Sequence, residues 1–119
     1  MASRKGAVLL DVQCQYARGS LIVRIGGELD FQTAAQFRSV VEKELDETGA
    51  QNLILNLEAL RFVDSSGLGA ILGRYKRVMA GGGNVYMVGV TGQSRRILEL
   101  SGILRIIPVC KSEKQALGA

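Results

Sequence analysis

The 119-residue chain contains no histidine. That removes Ser-His-Asp and Cys-His catalysis, histidine proton shuttles and most zinc or iron sites. Tryptophan is also absent, and aromatic residues make up only 5% of the sequence. Nucleic-acid surfaces interleave a basic stripe with aromatics, so direct nucleic-acid binding is not expected. Cysteine occurs twice, at Cys14 and Cys110, far apart and outside any Cys-x-x-Cys pair. Buried free thiols in a reducing cytoplasm are the expectation, ahead of a disulfide or a metal site. No apolar run reaches the roughly 20 residues of a membrane span, so a cytoplasmic chain that does not cross a bilayer is expected. Two basic residues precede Ala7-Val8-Leu9-Leu10, but Asp11 cuts that run short of a signal peptide.

What is present fits one domain over residues 1–119, with 1–6 as a loose extension. Apolar residues are 47% and charged residues 22%, a globular composition. The net charge of +4 reads as solubility, with Arg74, Lys76 and Arg77 the densest basic group.

Taken in order, Ala7 to Tyr16 and Leu21 to Ile25 read as a β-hairpin around Ala17-Arg18-Gly19-Ser20. Leu21, Val23 and Ile25 share one face, and Gly26-Gly27 is expected to end that strand. Asp30 to about Thr48 reads as a helix with Ala34, Phe37, Val41 and Leu45 on one stripe. Thr33 and Gln36 fit a capping box, Asp30 is a second candidate cap, and Gly49 closes the helix. Asn52–Leu57 is a strand, and a link from Glu58 to Asp64 leads to a second helix. Its apolar stripe is Leu68, Ile71, Leu72, Tyr75, Val78 and Met79, with Arg74 and Arg77 on the other side, read first as a solvated face and otherwise as a share of a docking surface. Asn84–Val90 is a further strand. A third helix follows, capped by Thr91, carrying Ile97, Leu98 and Leu100 and ending at Ser101-Gly102. Ile103–Ile107 is read as the last strand, ended by Pro108, and Ser112 with Gln115 as the cap of a last helix. The order β-β-α-β-α-β-α-β-α predicts an α/β domain. Its sheet is mixed and mostly parallel, with one antiparallel hairpin strand and about four helices.

The chemistry concentrates at Asp64-Ser65-Ser66-Gly67, where a strand hands over to a helix. Unpaired N–H groups and the helix dipole favour an anion there, so a phosphate on serine would be tolerated. A plain helix cap is the simplest reading of Ser65 and Ser66 from the residues alone. Asp64 is the nearest base to Ser65, but adjacent residues rarely meet in attack geometry, and an enzyme is not expected. Gly67, Gly69 and Gly73 have the spacing of neither a dinucleotide fingerprint nor a P-loop. Inside a helix Gly69 and Gly73 cost about 1 kcal/mol each relative to alanine. They line one face at i and i+4, which fits close packing inside the domain or close approach of a partner.

The run Phe62-Val63-Asp64-Ser65-Ser66-Gly67-Leu68-Gly69-Ala70-Ile71-Leu72-Gly73-Arg74-Tyr75-Lys76 resembles the phosphorylation segment of bacterial anti-sigma factor antagonists. These belong to the STAS family (sulphate transporter and anti-sigma factor antagonist). Gly27-Glu28-Leu29-Asp30 with Thr33-Ala34 is similar to a second family signature. Ser101-Gly102-Ile103-Leu104 and Ser112 to Leu117 also resemble the sporulation branch, so the likeness spans about Val8 to Leu117. Phe31 departs from it, standing where family members often carry a polar residue or histidine.

The resemblance implies phosphorylation at Ser65, the serine directly after the aspartate, with Ser66 unmodified. It implies an unmodified form that binds an anti-sigma factor, itself a serine kinase holding ADP or ATP, and so releases a sigma factor. A PP2C-type phosphatase would reverse the modification. The implied partner surface comprises Asp30, Asp64, Ser65, Ser66, Gly67, Gly69, Gly73 and Arg74, with no cofactor and no metal. A general-stress antagonist or a STAS module in a larger signalling complex shares the fold, and the short chain favours a free-standing switch. A small-ligand or nucleotide-binding module using the same helix start is the alternative of another class.

Overall fold

Arg18 and Gly19 both take positive φ, 51° and 80°, the geometry of a two-residue hairpin turn. They join β1 (Leu10–Ala17) antiparallel to β2 (Ser20–Leu29), with Ala17 opposite Ser20. The computed structural model describes residues 9–119, apart from the side chain of Gln93. The expected extension at 1–6 and the start of the first strand at Ala7 lie outside the described residues.

Gly26-Gly27 does not end β2, contrary to expectation. The strand continues to Leu29 with a register shift between Gly27 and Glu28. Gly27 has φ +87°, and a side chain there would overlap the Leu9 carbonyl oxygen, so glycine lets the strand bend and stay paired. The first half of β2 pairs with β3 (Asn52–Asn56) and the second with β4 (Leu60–Val63), both parallel. The link expected between Glu58 and Asp64 thus contains a strand. Its residues run buried, exposed, exposed, buried, so no alternation marks it in the sequence. Strands β5 (Val85–Val88) and β6 (Val109–Cys110) complete the order β1-β2-β3-β5-β6, all parallel beyond the hairpin. With α1 (Ala34–Thr48), α2 (Ser65–Ala80), α3 (Gly92–Ser101) and α4 (Glu113–Leu117), this is the expected α/β class with one extra strand.

Leu21, Val23 and Ile25 face the main core, formed with Phe37, Val41 and Leu45 of α1 and Ala70, Ile71 and Val78 of α2. Ile22, Ile54 and Val88 face the opposite side, where Ala116 of α4 covers them. Burial on both faces explains the unbroken apolar run of β3.

Four further local expectations change. Helix α1 starts at Ala34, because residues 31–33 form a turn. The Thr33 hydroxyl makes no cap bond; it accepts from Asp30 N and donates to the Glu28 carbonyl. Met79 and Leu100 leave their stripes, at 42% and 74% exposure. Each follows a buried residue by one or two positions and is rotated away from the core. Ile103–Ile107 is not a strand: Gly102 turns left-handed at φ +83° and Ile103–Arg105 form a 3₁₀ turn. Ile103 and Ile107 are buried four residues apart, a helical spacing. Pro108 therefore precedes a strand, β6, and its carbonyl accepts from Met87 N at 2.9 Å. The caps at Gly49, φ +67°, and Ser112, whose Oγ accepts from Gln115 N at 3.0 Å, stand as expected.

Candidate functional site

Strand β4 ends at Val63 and α2 begins at Ser65, leaving Asp64 as the joint. Its backbone is extended and its Oδ1 accepts from Gly67 N at 3.0 Å. Asp64 is therefore the helix cap. Ser65, the first residue of the 16-residue helix, is exposed, and Ser66 is half-buried; neither hydroxyl is needed for capping.

Gly67 is buried against the ends of β2 and β4. A Cβ there would overlap the Leu29 carbonyl oxygen and lie 2.9 Å from both Leu29 Cγ and Val63 Cγ2. Close internal packing accounts for this glycine and fixes the height of Ser65 above the sheet. Gly69 and Gly73 differ, since a Cβ at either would meet nothing within 4 Å. Internal packing does not account for them. With Ser65 they stand at i, i+4 and i+8, so a low strip of backbone runs along α2 from the serine.

Arg74 does not lie on a solvated face, whereas Arg77 stays exposed while pairing with acidic residues of α1. Both turn towards α1, with Arg74 Nε 2.6 Å from Glu42 Oε2 and its side chain only 13% exposed. The Nε hydrogen is not aimed at that oxygen, so the attraction is charge on charge. Burial pulls the Arg74 pKa down; Glu42 opposes this, and Arg38 and Arg77 add to it. Arg77 bonds the same Glu42 and reaches Asp46 Oδ1 at 2.6 Å. Its pKa is raised, first by Asp46 and then by Glu42. Both arginines pin α2 to α1.

Asp30 and Asp64 meet through the turn before α1. Asp30 Oδ1 accepts from Gln32 N at 2.9 Å and Thr33 N at 3.1 Å. Asp64 Oδ2 accepts from Phe31 N at 3.1 Å, joining residues 33 apart in sequence. No local pattern could disclose that bond. Asp30, Asp64, Ser65 and Ser66 thus belong to one surface, with the Gly69–Gly73 strip leading away from it.

Larger depressions lie elsewhere. A shallow basin of about 580 Å³, lined by Arg24, Asn56, Glu58, Lys111, Glu113 and Lys114 among others, opens near α4. Its charges are partly spent, since Glu113 accepts from Arg24 Nε and Nη2 at 2.8 Å and from Asn56 Nδ2 at 2.7 Å. Among the described residues no helix is long and apolar enough to cross a membrane, and no group of three metal-ligating side chains forms.

A mixed sheet opened by a hairpin, with an aspartate-capped Asp-Ser-Ser-Gly helix start, defines a regulatory α/β module of the STAS type. The chain belongs to the STAS-domain family, whose model matches residues 11–116. It is 38% identical to the anti-sigma F factor antagonist of Paenibacillus polymyxa over 91% of this chain and 92% of that protein. It is 30% identical to the anti-sigma-B factor antagonist of Staphylococcus aureus, covering 73% and 80%. The anti-sigma factor antagonist SpoIIAA in its unphosphorylated form superposes with a TM-score of 0.76 at 27% identity, covering 90% and 93%. The phosphorylated Bacillus form gives 0.69 at 27%, covering 91% and 97%.

Proposed function

We propose that this chain is an anti-sigma factor antagonist switched at Ser65. Unmodified, it binds an anti-sigma factor serine kinase carrying ADP or ATP and frees the sigma factor. Phosphorylation of Ser65 ends the binding, and a PP2C-type phosphatase restores it. The chain acts in the cytoplasm as a binding partner, with no catalysis or cofactor of its own. Its contact surface comprises Asp30, Asp64, Ser65, Ser66, Gly69 and Gly73.

One observation carries this reading: Ser65 is exposed at the head of a helix already capped by Asp64. A kinase must bring its nucleotide phosphates to the Ser65 hydroxyl. After transfer, a group of nearly two negative charges faces the phosphates of the remaining ADP, and the two repel. The helix dipole offsets part of the repulsion from Asp64, so the fold tolerates the group while the partner does not. SpoIIAA superposes on this chain in both phosphorylation states, which supports a local block without refolding. The sporulation pathway is favoured over general stress by the higher identity and coverage of the anti-sigma F relative.

The test is a pull-down from the source cell's lysate with ADP, comparing wild type with Ser65→Asp and identifying retained proteins by mass spectrometry. A small ATP-binding anti-sigma factor held by wild type and lost with Ser65→Asp is the expected result. Equal retention by both would overturn the role of Ser65.

A further inference from the structure

We propose that Phe31 is the aromatic anchor by which this chain holds its anti-sigma factor kinase. The inference rests on the reading of Ser65 given above and adds a residue to its docking surface.

Phe31 is 81% exposed, more than any other large apolar side chain among the described residues. A ring so placed contributes almost nothing to the core. The backbone that carries it is held firmly. Its own N–H donates to Asp64 Oδ2 at 3.1 Å, and the following Gln32 N and Thr33 N donate to Asp30 Oδ1. Thr33 Oγ1 accepts from Asp30 N at 2.9 Å and donates to the Glu28 carbonyl at 2.8 Å. The turn is thus tied on both sides of the ring. An aromatic displayed on a braced turn offers large contact area at low ordering cost, the signature of a binding hot spot.

The position identifies the occupant. The Phe31 backbone touches the carboxylate of residue 64, the neighbour of the phosphoacceptor. A standard interface covers roughly 800 Å² per partner, a disc of about 16 Å radius. Phe31, bonded through its backbone to the residue beside Ser65, falls within a footprint of that size centred on the Ser65 hydroxyl. The ring offers no polar atom, so the matching site on the kinase is an apolar socket, bordered on this side by Asp30 and Asp64.

The experiment uses the anti-sigma factor recovered in the pull-down, purified and loaded with ADP. Its Kd is measured calorimetrically for wild type, Phe31→Ala and Phe31→Leu, with a thermal melt of each. Phe31→Ala is expected to weaken binding about 30-fold with an unchanged melt, and Phe31→Leu to recover part of the loss. The kinase concentration for half-maximal Ser65 phosphorylation should rise with Phe31→Ala by a similar factor. Binding by Phe31→Ala within about threefold of wild type overturns the anchor, and leaves the Ser65 reading standing if Ser65→Asp still fails to bind. If wild type itself does not bind the kinase, both readings fall together.

Discussion

Replacing Gly69 and Gly73 with alanine should raise stability while weakening partner binding. In both places a Cβ would meet nothing within 4 Å, so the substitution adds no clash. It removes the glycine penalty inside a helix, about 0.5–1 kcal/mol per site. The double variant should therefore gain roughly 1–2 kcal/mol. Unfolding entropy for a chain of this length is on the order of 250 cal/mol/K, so each kcal/mol shifts Tm by about 4 °C. A rise of about 4–8 °C is expected in a thermal melt followed by circular dichroism. The same two methyl groups raise the strip that runs from Ser65, and affinity for the ADP-loaded anti-sigma factor should fall about tenfold or more. A double variant less stable than wild type would refute the reading of these positions as open. One that is more stable yet binds as tightly would remove the strip from the contact surface.

Gly67→Ala should act in the opposite sense. Its Cβ would press on the Leu29 carbonyl and two side chains, so a loss of about 2–3 kcal/mol is expected, and an unchanged melt would contradict it. Glu113 is held below the ordinary value of 4.5, first by its hydrogen bonds from Arg24. A depressed folded pKa contributes stability that is present above the unfolded value and lost as pH falls through the folded one. Urea midpoints of wild type should therefore drop below about pH 4.5, and Glu113→Gln should flatten that acid limb. At pH 7 the variant should lose about 0.5–1 kcal/mol, because the pair is partly exposed and screened. Cys14, whose pKa is pushed up to about 11 by burial and then by Glu44, should react slowly with Ellman's reagent near pH 8 and faster as pH rises. A rate already at its plateau near pH 8 would show an ordinary thiol.

The parts of this fold legible in the sequence are those with a strong period or a cap. Phe37, Val41 and Leu45 mark α1, and Leu21, Val23 and Ile25 mark the core face of β2. Leu60–Val63 is too short to show an alternation, so β4 hides inside an apparent link. Ile103–Ile107 has the composition of a strand, but Gly102 turns the chain and helical spacing buries its ends. The serine pair was legible as a helix start, while its cap was not assignable, because Asp64, Ser65 and Ser66 are all capping types. Arg74 and Arg77 show the largest gap. Periodicity puts charges away from the core, and cannot tell a solvated face from one that meets acidic residues of another helix.

The Arg74 and Arg77 ties also constrain the switch proposed at Ser65. A phosphate on exposed Ser65, screened by bulk water, would repel Asp64 by roughly 1–2 kcal/mol, and the helix dipole returns about 0.3–1 kcal/mol of this. Moving the helix start to relieve the remainder would break the Asp64 cap, worth about 1 kcal/mol. It would also disturb the close packing of Gly67 on Leu29 and Val63, and pull against the Arg74 and Arg77 ties from α2 to Glu42 and Asp46. The ties outweigh the push, so the added charge stays where Ser65 stood. The proposed kinase, which must place its own nucleotide phosphates at that point, would then meet both the charge and the bulk. On the proposed reading the antagonist would be turned off without being unfolded, and dephosphorylation would return a surface that is already assembled.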